Sequence, residues 1–155
     1  MKSVFRSVGF VISGLVVGLL VGTCLGFTVV SKPFRELSAL STMAWASHLA
    51  DMQYQNAGYT EAREALQEYI SVLQRAAAHP ELELTHSAHT DMGLAYTRLA
   101  LLAEANGKPE ESPALMAKAV EEARAGGFRD PSAEHLRSLV LRLGRPATPT
   151  PKPGA

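Results

Sequence analysis

The feature that most constrains the fold is an uncharged run of 23 residues near the start of the chain, residues 8–30. It reads VGFVISGLVVGLLVGTCLGFTVV. At ~1.5 Å per residue, a helix of this length covers about 34 Å, enough to cross a hydrocarbon core of roughly 30 Å. Backbone amides in lipid must be paired within the helix itself. We therefore predict a transmembrane anchor over residues 1–31 and a domain outside the bilayer after it.

Two other interpretations of this run are open. A cleaved signal peptide has an apolar region of roughly 7–15 residues and a small-residue cleavage site, and this run is longer and has no such site. The segment from Val21 to Cys24 resembles a lipobox, the motif cut before a lipid-modified cysteine. Thr23 departs from that motif, and an apolar stretch follows Cys24 where a polar tether is expected. We therefore favour an uncleaved anchor.

Glycine recurs at every fourth position inside the run. The four residues are Gly14, Gly18, Gly22 and Gly26. Residues four apart share one helical face, and small residues on one face let a second backbone approach closely in a membrane. We expect this face to pack against another helix, from a second copy of the chain or from another protein.

The charges that flank the run give a weak orientation signal. Lys2 and Arg6 precede it and Lys32 and Arg35 follow it, so the amino terminus supplies the one-charge difference. Positive charge is retained on the cytoplasmic side. We expect a single-pass protein of the bacterial inner membrane with its domain outside the cytoplasm.

Composition limits what the rest of the chain can do. Residues 32–143 are enough for one small domain, and the formal net charge of the chain is zero. A near-neutral domain gives no electrostatic case for binding nucleic acid. The only cysteine is Cys24, which excludes an internal disulfide or a thiolate metal site. We expect no cofactor.

Apolar residues recur at steps of three and four, and no stretch alternates with a period of two. The sequence therefore predicts an all-α domain. The expected helices cover residues 34–56, 61–78, 81 or 83–105, 113–124 and 131–143. Thr60 and Ser112 are expected as N-caps. The predicted apolar face of the first helix consists of Leu37, Leu40, Ala44, Trp45, Leu49 and Met52.

Two helix pairs resemble the tetratricopeptide repeat, in which a small residue of one helix packs against an alanine of the next across a turn. The residues that carry the resemblance are Ala50, segment 58–62 and Leu66 in the first pair, and Ala100, segment 107–112, Met116 and Ala119 in the second. The two turns lie about 50 residues apart, whereas the repeat has a period of ~34. The resemblance implies antiparallel helical hairpins, a C-terminal capping helix and a role in protein–protein interaction or scaffolding.

Few residues suggest chemistry. Glu83, His86 and His89 recur at steps of three, a spacing that can hold a metal, but no matching pair occurs on another helix. No nucleophile, phosphate-loop or dinucleotide motif is found, so we expect no catalytic, cofactor or metal residues and no enzyme. Trp45, Met52 and Tyr96 are instead candidates to line a groove for a protein partner. The remaining segment, residues 144–155, contains four prolines and is expected to be a disordered tail.

Overall fold

The structure, a computed structural model, describes residues 34–147. The predicted anchor with its four glycines, and residues 148–155 of the predicted tail, lie outside the described residues. Between residues 34 and 147, no helix is long and apolar enough to cross a membrane. The described part of the chain is all α-helical, with five helices and no strand.

The chain divides into two compact units, residues 1–38 and 39–155. Residues 34–38, the described part of the first unit, are helical. We label the helices in chain order: α1, of which residues 34–56 are described, α2 over Tyr59–Ala77, α3 over Thr85–Ala105, α4 over Ser112–Ala125 and α5 over Ala133–Leu143. Short 3-10 turns at Pro80–Leu82 and Pro109–Glu111 precede α3 and α4.

Glycine ends two of the helices in the same way. Gly107 follows α3 with φ of 73°, and Gly127 follows α4 with φ of 76°. Only a residue without a Cβ adopts this left-handed conformation freely. The residue after each glycine donates its backbone N–H to a carbonyl in the last turn of the preceding helix. Lys108 N–H donates to the Ala103 carbonyl and Phe128 N–H to the Ala123 carbonyl, both at 2.9 Å. These stops reverse the chain sharply and favour antiparallel neighbours.

Helix α3 lies at the centre of the packing, against α2, α4 and α5. One core cluster joins α1, α2 and α3 and includes Tyr54, Leu66, Leu73, Met92 and Leu102. A second joins α3, α4 and α5 and consists of Ala100, Met116, Ala119, Ala123 and Leu136. The alanines expected to pack across the two hairpins lie in these clusters, Ala50 with Ala62 in the first and Ala100 with Ala119 in the second.

Gly93 marks the closest approach between α3 and α4. A Cβ built on Gly93 would lie 3.0 Å from the Ala123 nitrogen, 3.1 Å from the Ala119 oxygen and 3.1 Å from the Ala123 Cβ. The backbones therefore meet over small residues. The Thr97 hydroxyl, one turn later, is buried and donates to the Gly93 carbonyl at 2.8 Å, so it needs no partner on another helix.

Three predicted helix starts were wrong. Gly58, rather than Thr60, is the N-cap of α2, and Thr60 lies inside that helix. Ser112 does not cap α4, because the 3-10 turn begins at Pro109 and Ser112 is already helical and buried. The last helix begins at Ala133 with Ser132 as its N-cap, accepting the His135 N–H at 3.3 Å. In each case a turn beside Pro or Gly displaced the expected start.

The predicted apolar face of α1 was also wrong. Met43, Ala50 and Tyr54 supply its buried face, whereas the expected side chains are exposed. The expected and exposed residues are Leu37, Leu40, Ala44, Trp45, Leu49 and Met52. Both faces of α1 carry apolar residues. Prediction from the spacing of apolar residues chose the face with more leucines, and the other face is the buried one. Ala50 permits close approach to the neighbouring helices, and the larger Met43 and Tyr54 fill the core beside it.

Candidate interaction surface

Helix α1 exposes most of the large apolar side chains that remain in contact with solvent. Of eight such residues among positions 34–147, six lie on α1 and two at the end of α5. Three of the six, Trp45, Leu49 and Met52, are spaced by four and three residues and share one helical face. Their exposed fractions are 70%, 38% and 45%. We call these three residues the outer stripe.

The outer stripe is free of formal charge along its length. The side chains interleaved with it on the same face are Ser41, His48 and Asn56, none of which is Lys, Arg, Asp or Glu. Positions i, i+4 and i+7 with apolar residues are the pattern by which a helix docks on another apolar surface. The outer stripe is therefore the part of the described chain best suited to contact another macromolecule.

Paired charges on the inner side fix α1 against the rest of the domain. Arg98 of α3 forms an ion pair with Asp51 at 2.9 Å, and its guanidinium lies 5.8 Å from the centre of the Tyr54 ring. Burial raises the pKa of the Tyr54 hydroxyl, and that hydroxyl has no hydrogen-bond partner among the described residues. The side chain of Arg98 is 12% exposed and that of Asp51 38% exposed, so solvent screens this pair in part. The outer stripe therefore lies on a helix whose opposite side is paired with α3 through Arg98 and Asp51.

A second buried pair links α2 to α3. The Tyr69 hydroxyl donates to the Asp91 carboxylate at 3.0 Å. Burial raises the pKa of Asp91, against the opposing effects of the Tyr69 hydrogen bond and the Arg98 charge. Burial also raises the pKa of Tyr69 to about 12. Each group has a hydrogen-bond partner within the protein, and the bond connects α2 to α3.

The C-terminal segment also reaches α1. Ala147 N–H donates at 2.9 Å to the carbonyl of Tyr54, in the last turn of α1. Carbonyls in the last turn of a helix have no partner within it, so this bond caps one of them. A Cβ on Gly144 would lie 2.8 Å from the Gln55 amide nitrogen. Residues 144–147 therefore lie against the end of α1.

An open apolar groove lies between α1 and the end of α2. It encloses about 450 Å³, including space at its mouth. Its lining residues are Ala39, Thr42, Met43, Val72, Arg75, Ala76, His79 and Leu82. Arg75 donates to Ser71 at 2.8 Å and pairs with Glu68 at 3.4 Å, and His79 pairs with Glu81 at 3.0 Å. Arg75 and His79 at its rim are therefore already partnered.

Further ion pairs join the hairpins to each other. Arg63 of α2 contacts Glu111, before α4, at 2.6 Å. Arg137 of α5 donates to both oxygens of Glu104 on α3, one of them at 2.7 Å, and Ser112 of α4 donates to the same carboxylate. The Arg137 hydrogen bonds lower the pKa of Glu104. This bidentate pair connects three helices and has the geometry of a structural contact.

Tyr96, the third predicted groove residue, lies elsewhere. It is half-buried on α3, and the Lys118 ammonium of α4 stands 5.6 Å from the centre of its ring. Burial raises the pKa of Tyr96, and the charge of Glu122 adds to the shift. Tyr96 thus contacts α4, whereas Trp45 and Met52 occupy the solvent face of α1. A groove shared by all three residues stays a prediction.

The histidines considered for a metal are separated. Glu83 lies before α3 in a left-handed conformation with φ of 57°, so it is off the helix that carries His86 and His89. His89 contacts Glu122 of α4 at 2.6 Å. Within residues 34–147, no three His, Cys, Asp or Glu side chains come together in an arrangement that could hold a metal ion.

Sequence reasoning selected two residues of the outer stripe, Trp45 and Met52, and assigned Trp45 chiefly to the core. It missed that Leu49 belongs with them on the surface, and it missed the Arg98–Asp51 pair behind α1. The signal for the exposed face was the presence of a second apolar row, Met43, Ala50 and Tyr54, whose steps of seven and four also place it on one helical face. No protein-family model matches the chain, and no curated protein or solved structure matches it.

Proposed function

We propose that this chain is a single-pass membrane protein whose helical domain binds another protein through the outer stripe of α1. Its domain stands outside the cytoplasm, its hairpins follow the tetratricopeptide arrangement with α5 as the capping helix, and it assembles or scaffolds a complex rather than catalysing a reaction. The observation that supports this is the solvent exposure of Trp45, Leu49 and Met52 on a helix whose other face buries Met43, Ala50 and Tyr54.

The free energy available at the stripe is considerable. Burying a large apolar side chain contributes ~1.5–3 kcal/mol, and the three residues together leave about one and a half side chains exposed. Covering the stripe therefore offers on the order of 2–5 kcal/mol. The largest contiguous apolar patch on a soluble protein is often a functional contact site.

The test is site-specific photocrosslinking in the native membrane. A photoreactive amino acid replaces Trp45 in the full chain, and the control replaces Glu64, which is exposed on α2. We expect a covalent adduct with a protein from position 45 and none from position 64. Equal yields from the two positions, or no adduct from either, would contradict the proposal.

The runner-up is a structural subunit that associates through its glycine-rich span, in which case the domain makes no essential contact. The same experiment separates the two. A photoreactive residue at Gly18 would then give the adduct, and position 45 would give none. Resistance of the full chain to extraction from membranes at alkaline pH tests the anchor itself, and release into the supernatant would refute it.

A further inference from the structure

We infer that the occupant of the outer stripe is the outer stripe of a second copy of this chain, the two α1 helices running side by side in parallel. This inference rests on the proposed function and names the partner. Three observations support it: the absence of charge on the stripe, its small area, and the position of α1 directly after the predicted membrane span.

The chemistry of the stripe suits pairing with itself. In a parallel pair with twofold symmetry, each residue of the interface faces its own copy or a close neighbour of it. Any charged residue would then meet a like charge, which is unfavourable. The face formed by Trp45, Leu49 and Met52, with Ser41 and His48 between and beside them, contains no Lys, Arg, Asp or Glu. Asp51 is engaged by Arg98 instead.

The area of the stripe suits a partner that is already nearby. A fully exposed large side chain offers about 150–250 Å², so the three residues supply roughly 300 Å² per copy. A stable interface between freely diffusing proteins needs ~800 Å² per partner. The stripe alone is therefore too small to hold two copies together in solution. Tethering in one membrane raises the effective concentration and makes such a small contact sufficient.

The chain before α1 supplies that tether. Three residues, 31–33, separate the uncharged run from the first described residue of α1. Three residues span at most about 10 Å. If two spans pack in parallel through their glycine faces, the two α1 helices leave the membrane on the same side and begin within reach of each other. A heterologous soluble partner would have neither advantage.

Disulfide formation between single cysteines tests the inference in the full chain. In a Cys24→Ser background, Ser41→Cys and His48→Cys place thiols beside the stripe, and Gln74→Cys on the exposed side of α2 is the control. Mild oxidation in membranes should give at least about tenfold more disulfide dimer at positions 41 and 48 than at position 74, because a disulfide needs Cα atoms within ~7 Å. Adding Trp45→Glu should reduce the dimer at position 48 by about tenfold and leave the urea midpoint of the domain unchanged.

Each other outcome overturns the inference in a distinct way. Equal dimer at positions 48 and 74 would indicate random collision. A photo-adduct at position 45 with a different protein, without disulfide dimer at position 48, would leave the proposed function standing and refute the second copy. Dimer that forms at position 48 only after residues 148–155 are deleted would show that the chain's own tail covers the stripe. No adduct and no dimer would refute both proposals.

Discussion

Replacing Gly93 by alanine tests the packing that holds the two hairpins together. The new Cβ would lie 3.0 to 3.1 Å from three atoms of α4, two of them backbone atoms of Ala119 and Ala123. A side chain could rotate away from such a contact, but a helix backbone cannot. Helices α3 and α4 would therefore have to move apart by a few tenths of an ångström along their whole contact.

Two opposing effects set the size of the change. Overpacking a well-filled site costs about 1–3 kcal/mol. Alanine is favoured over glycine inside a helix by ~1 kcal/mol, which offsets part of that cost. We expect a net loss of about 1–2 kcal/mol in the free energy of unfolding. Gly93→Val should lose more, because it adds volume at the same place and lacks the helix preference of alanine.

Urea unfolding of the full chain in mild detergent, followed by circular dichroism at 222 nm, measures this loss. The matched control is Ala117→Gly on the exposed side of α4, which reports the helix preference alone and should cost about 1 kcal/mol. If Gly93→Ala stabilised the domain by the amount that Ala117→Gly destabilises it, the close approach of α3 and α4 would be refuted.

Three further variants test the polar contacts by the same unfolding assay. Glu104→Gln should lower the free energy of unfolding by about 1–2 kcal/mol at pH 7 by weakening the pair with Arg137. Because the folded pKa of Glu104 is lowered, the wild-type advantage should begin to decline as the pH falls through the unfolded value of 4.5 and be lost below the folded pKa, and an advantage that did not decline with falling pH would count against the pair. Tyr69→Phe should lower the free energy of unfolding by about 1–2 kcal/mol because the half-buried Asp91 loses its hydrogen-bond donor. Because the pKa of Tyr69 is raised to about 12, the wild type should lose stability between pH 10 and 12 more steeply than this variant. Tyr54→Phe, by contrast, should be neutral or stabilising by up to ~1 kcal/mol, because the buried Tyr54 hydroxyl has no partner among the described residues; a loss of 2 kcal/mol would show that it has one.

The sequence was sufficient to predict a helical domain because steps of three and four recur throughout residues 34–147. The predicted ends of α1 and α3 agree with the structure, since Gly58 and Asn106-Gly107 are strong stop signals. Starts next to proline were predicted less well. Pro80 and Pro109 each begin a 3-10 turn, and periodicity does not distinguish such a turn from the first turn of an α-helix.

The candidate interaction surface was only half predictable. Trp45 and Met52 were placed on the predicted apolar face of α1 and were candidates to line a partner groove with Tyr96. Which of two apolar faces a helix buries depends on the shape of its neighbours, and the neighbours of α1 favour Ala50 and Tyr54 for close packing. Ion pairs between distant residues, such as Arg98 with Asp51, leave no periodic signal at all.

The bond between Ala147 and Tyr54 has a mechanical consequence. A pulling force applied to residues 148–155 would reach the last turn of α1 through this amide before it loaded the end of α5. A partner that held the tail would therefore load the last turn of the helix that carries the outer stripe.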